Sequence, residues 1–219
     1  MPPYRWLVYI YVVVVLSLMT PGALGTAMAQ ASDEDKVSFV WAFEALVAEG
    51  KVTKQVPVKA DMTLKTGDQL KMFVEIRKPC FVYVIHHGAR GEIQRLFPYD
   101  IQQFTTDYQT SKIYEIPPND AWFRINEQAG LETFYLLASG QRLTDLEQLL
   151  ATYDAVQPAE QPLAASNILA DLRNLLKQHR ASVKPGRPVP IAGNMRKGIE
   201  GVEITAPQFC IETFTIEHS

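Results

Sequence analysis

The chain has 219 residues, 47% hydrophobic and 21% charged, with a formal net charge of −3. That balance, without any low-complexity tract, excludes a disordered or fibrous chain and predicts a globular protein of one domain. Lysine and arginine are scattered and form no basic stripe, which argues against nucleic acid as a partner.

The N-terminal stretch "MPPYRWLVYIYVVVVLSLMTPGALGTAMAQA" carries Arg5, an apolar run from Trp6 to Met19, a Pro-Gly break, and small residues at Ala27 and Ala29. This pattern predicts a secretory signal peptide over residues 1–29, with cleavage after Ala31 as the alternative, and a periplasmic or secreted product. The run is shorter than the ~20 residues of a comfortable membrane span, so no span is expected after cleavage; an uncleaved anchor is the rival reading. Cleavage removes one cation and no acid, moving the net charge from −3 to −4. The remainder, 36–219, reads as a single β-rich domain with a helical insertion at about 143–181.

"KVSFVWAF" places Val37, Phe39, Trp41 and Phe43 on one face by strict alternation and predicts a half-buried strand. "TGDQLKMFVEI" follows a Gly-Asp turn with Leu70, Met72, Val74 and Ile76 in phase, and with Lys71 and Glu75 on the opposite face. The short link Arg77-Lys78-Pro79 suits an antiparallel neighbour in "PCFVYVIHH". That strand is apolar on both faces and is expected to be central and covered on both sides. "GARG" is the next turn and "EIQRLFP" the return strand, stopped by Pro98; "KIYEIP", "AWFRI" and "LETFYLLA" are further short strands.

The period then changes. "LTDLEQLLATY" opens with Thr144 and Glu147 in capping-box spacing and sets Leu146, Leu149, Leu150 and Tyr153 on one helical stripe. After the proline-broken "AVQPAEQPLAAS", a second helix carries Ile168, Leu169, Leu172, Leu175, Leu176 and His179. "KPGRPVPIAGNMRKGIEG" reads as a loop, and its "GNMRKG" lacks the spacing of a phosphate-binding loop. "FCIETFTIEH" is a final strand. The fold class expected is α+β: a mainly antiparallel β-sandwich, immunoglobulin-like in general form, with two amphipathic helices packed on one sheet.

Cys80 and Cys210 are the only cysteines, both in strand-like segments. In an oxidising compartment a disulfide between them and two separately buried thiols are both open readings. His86 and His87 adjoin, but successive strand side chains point to opposite faces, so the pair cannot easily close on one metal. A metal site would use His86 or His87 with the remote His218, and with Glu92 or Glu217 as carboxylate. Ser139 and Cys80 lack the context of a catalytic nucleophile. The turn residues His87, Arg90, Tyr99 and Trp122 form the expected contact surface.

Between Phe39 and Ser139, the ordered set "LKTGDQLKMFVE", "CFVYVIHHGARGEIQRLFP", "YEIP" and "AGLETFYLLAS" resembles the bacterial DUF4384 family. The resemblance implies an extracytoplasmic β-rich module without an established activity, and it carries over no catalytic residue. His87-Gly88-Ala89-Arg90 departs from the small polar or acidic residues usual at that turn, so any role of this turn is peculiar to this protein. The function expected is a non-enzymatic binding or assembly module contacting a protein or an envelope component, with no cofactor. A metal-dependent hydrolase or metal-binding protein is the alternative. The sequence sets no oligomeric state.

Overall fold

The computed structural model describes residues 36–50, 52–59, 62–127, 129–179, 186–191 and 200–219. The segment read as a signal peptide and the stretch 193–198 lie outside them. Among the described residues, no helix is long and apolar enough to cross a membrane, which says nothing of membrane β-barrels.

In chain order the elements are β1 (Lys36–Glu49), β2 (Val52–Pro57), β3 (Thr63–Leu64), β4 (Gln69–Ile76), β5 (Phe81–His87) and β6 (Ile93–Phe97). A one-turn helix α1 (Gln103–Thr106) and three strands follow, β7 (Ile113–Ile116), β8 (Phe123–Arg124) and β9 (Gly130–Ser139). Next are the helices α2 (Thr144–Ala155) and α3 (Gln161–His179), then β10 (Arg187–Pro190), β11 (Glu200–Pro207) and β12 (Phe209–His218). One sheet runs β10-β11-β1-β4-β7, with β2 on the far half of β1 and β8 at the start of β4; the other runs β3-β12-β9-β5-β6. Pairing is antiparallel throughout except between β12 and β3.

The expected sandwich forms because the in-phase apolar residues of both sheets meet in one core. Phe39, Trp41, Met72 and Val74 from the first sheet face Val82, Val84, Leu136 and Phe214 from the second. The other face of the second sheet, through Tyr83, Ile85, Tyr135 and Leu137, packs on Leu146, Leu150 and Tyr153 of α2 and on Ile168 and Leu172 of α3. This explains why β5 is apolar on both faces: one faces the sandwich core and the other the helices.

Three expectations are corrected, and one open reading is decided. First, β4 and β5 are not neighbours; the link Arg77-Lys78-Pro79 carries the chain from one sheet to the other. Both strands direct an apolar face into the same core, and a crossover lets those faces oppose each other, whereas a hairpin would set them side by side. Secondly, β1 is buried on both faces, because Val40 and Ala42 lie under Phe73 and Ile191.

Thirdly, Thr144 and Glu147 make no capping box: the α2 N-cap position is Leu143, without a side-chain cap. Glu147 turns inward instead. It accepts a 2.6 Å hydrogen bond from the Tyr83 hydroxyl and is paired with Arg142. The Tyr83 oxygen in turn accepts from the Leu143 amide at 3.0 Å. The start of α2 is thus fastened to the sheet by a buried carboxylate.

Of the two readings open for the cysteines, the second holds: Cys80 and Cys210 are free buried thiols. Val82 and Cys210 both pair with Ala138, so β9 runs between the two cysteine-bearing segments. Two strand spacings, about 9.5 Å, exceed the ~7 Å over which a disulfide can close. Burial pushes the Cys80 thiol up to about 11, despite its contact with the Ser38 carbonyl, and the Cys210 thiol to about 12. A thiol-specific chromogenic reagent should therefore label neither cysteine in the native protein. After unfolding it should label both with no reductant added, and loss of those thiols in the unfolded chain would point to a bridge.

Lys71 and Glu75 do face away from the core, as expected, yet each is only 1% exposed. Lys71 donates to Glu115 at 2.8 Å and to the Asn119 carbonyl, with its ammonium 5.4 Å from the Trp122 ring centroid. Glu75 is paired with Arg77 at 3.0 Å. These charges are tolerated under cover because each has a partner.

Candidate functional site

Three strands of the second sheet each end an inward-facing apolar phase with a polar residue. On β5 the phase Val82, Val84 is continued by His86; on β9 the phase Ala138, Leu136, Phe134 is continued by Glu132; on β12 the phase Phe214, Ile216 is continued by His218. The register sets His86 against Phe134 and Glu132 against Ile216, which brings the three polar side chains together at one end of the sandwich.

His86 Nε2 lies 2.6 Å from Glu132 Oε2, and His218 Nδ1 lies 3.4 Å from Glu132 Oε1. An ionised carboxylate only accepts, so His86 carries its proton on Nε2. The His86 ring rests on Phe134 with centroids 4.9 Å apart. His218 is 2% exposed. Burial alone would raise the pKa of Glu132. The hydrogen bond from His86, the charges of His86 and His218, and the Ala89 amide together outweigh burial and hold it below its ordinary 4.5.

Above this trio opens a cleft of about 180 Å³. Its apolar walls include Leu70, Leu96, Phe123 and Phe134, and its rim carries Glu92, Gln94, Arg124 and Asn126. The turn that frames one side requires glycine at Gly91, which holds φ at +88°.

His86 and His218, named from the sequence, do share one site. Their carboxylate is Glu132 and not Glu92 or Glu217, and its two oxygens go to different rings, so it stands between the imidazoles. Among the described residues, no group of three or more His, Cys, Asp or Glu side chains is arranged to hold a metal ion.

The expected contact residues fall in two places. His87 and Arg90 flank a second groove, of about 300 Å³, against Tyr153, Pro158 and Pro162 at the start of α3. Burial, and then the charge of His86, lowers the pKa of His87. Tyr99 and Trp122 gather instead about Glu115: the Tyr99 hydroxyl donates to its carbonyl, and Trp122 covers the Lys71 that its carboxylate binds. Tyr99 is 39% exposed, whereas Trp122 is partly buried as a lid on an internal charge.

Glu132 and Glu147 both have lowered pKa values, the second because bonds from Arg142 and Tyr83 outweigh burial. A carboxyl whose folded pKa is depressed stabilises the fold above the ordinary carboxylate range and loses that contribution as pH falls through its folded value. The denaturant midpoint should therefore fall on acidification from about pH 5 to about pH 3. Glu132→Gln should show a shallower fall than the parent, and equal slopes would mean that Glu132 gains nothing on folding.

Sheet order and site together define an α+β sandwich with a helical cover on one sheet and a polar cleft at one end of the core. Residues 63–142 match the family model described as Domain of unknown function (DUF4384), the family that the sequence resembles. The match begins at Thr63 and not at Phe39; it spans β3 to β9 and includes His86 and Glu132, while His218 and the helices α2 and α3 lie outside it. No curated protein and no solved structure matches the chain.

Proposed function

We propose that this protein is a non-enzymatic extracytoplasmic binding module whose contact site is the cleft over His86, Glu132 and His218. The observation that carries this reading is a half-buried carboxylate held between two imidazoles among the apolar residues that line an opening, in a strand phase otherwise filled by apolar side chains. The signal-like N-terminus supports a location outside the cytoplasm, and a partner protein or envelope component there is the natural occupant.

Site-specific photocrosslinkers in living cells test this. Substituted for Gln94 or Arg124 at the rim, they should trap one defined envelope species; substituted for the exposed Gln148 on α2, they should not. No adduct at the rim, or equal adducts at position 148, would defeat the proposal.

A further inference from the structure

We infer that the cleft receives a single basic side chain, a lysine or arginine presented by a partner protein; this rests on the binding reading above and adds the chemistry of the occupant. Size comes first. About 180 Å³ is below the range of a cofactor or drug-sized ligand pocket and leaves room for one long side chain rather than a folded segment. The chemistry of the lining comes second. Phe123, Leu96 and Phe134 line the cleft beside the half-buried Glu132 carboxylate, which suits an apolar stem that ends in a cationic head.

Charge decides between heads. The cleft offers two carboxylates, Glu132 and the Glu92 that Arg90 pairs at 3.8 Å, and one guanidinium, Arg124, at an exposed position. At about pH 8, above the ordinary imidazole range, the carboxylate sets the charge of the trio. An anion would meet that charge, and a neutral head would leave it uncompensated. Glu132 also retains acceptor capacity: a carboxylate has about four lone-pair positions, and His86 and the Ala89 amide engage two, with His218 Nδ1 3.4 Å from the other oxygen. Phe134 adds a ring face for a cation. A protein source fits the rim, because Gln94 lies on β6, the terminal strand of the second sheet, and with Asn126 supplies amides suited to a partner's main chain.

Three probes of one length separate the heads: pentylammonium, pentanol and pentanoate, titrated into the full-length protein at about pH 8 while the His86 and His218 ring resonances are followed by NMR. Pentylammonium should bind saturably and at least about tenfold tighter than pentanol, with pentanoate no tighter than pentanol. Glu132→Gln should remove the preference. Arg124→Ala, at an exposed position that leaves the core intact, should raise ammonium affinity severalfold by removing a like charge. Tighter binding of pentanoate, an ammonium preference that survives Glu132→Gln, or weaker ammonium binding in Arg124→Ala would each overturn the inference. Rim crosslinks without any ammonium preference would sink this inference and keep the module reading; the preference without crosslinks would do the reverse.

Discussion

Phe43→Ala is expected to destabilise the protein by about 3 to 5 kcal/mol, read as a lowered denaturant midpoint at unchanged slope. Phe43 belongs to the first sheet, yet its ring lies 4.8 Å from Phe134 and 5.0 Å from Phe214 of the second, and 5.8 Å from Trp41. Its removal leaves a void that both sheets line, and neither can close it without shifting against the other. Phe214→Ala should cost a similar amount, and the double variant less than the sum, because the two rings stack on each other and share Trp41. Since Phe134 also supports the His86 ring and walls the cleft, the loosened core should broaden the His86 resonance. A loss below about 1.5 kcal/mol would show that the rings fill space without joining the sheets.

Glu147→Ala is the second large effect, about 2 to 4 kcal/mol. The substitution strips the acceptor from the Tyr83 hydroxyl, in a side chain with no exposed surface, and leaves Arg142 unpaired. The loss should be local in origin. Amide exchange in α2 and α3 should quicken before that of β9, because the carboxylate is what fastens the start of α2 to the sheet. A cycle with Tyr83→Phe should show strong coupling; additive losses would mean that the two groups stabilise the fold separately.

Much of this architecture was legible because alternation is a local signal. Leu70 to Ile76 and Val82 to Ile85 declare their faces without knowledge of their partners, and the leucines of α2 and α3 do so at helical spacing. The sheet to which a strand belongs is not local, and Arg77-Lys78-Pro79 would serve either a hairpin or a crossover. The strand β11 was missed although Val202, Ile204 and Ala206 alternate, because that short run stands between a proline-glycine-rich loop and Pro207. Glu147 read as a cap because spacing cannot reveal that Tyr83 waits across the sheet.

In the site, His86 and His218 were named and Glu132 was not. The signal was nonetheless present: Glu132 is in phase with Phe134, Leu136 and Ala138, so a charge stands where the pattern calls for an apolar residue. What joins it to the histidines is strand register, a property of three segments at once.

The last two strands carry a consequence for how the protein comes into being. β11 completes the first sheet against β1, and β12, just past Gln208 with its φ of +58°, enters the second between β9 and β3. Each half of the sandwich thus lacks an interior member until residues 200–218 exist as chain. Contacts of such sequence separation form late and slowly. The cleft shares that dependence, because His218 reaches it only on β12.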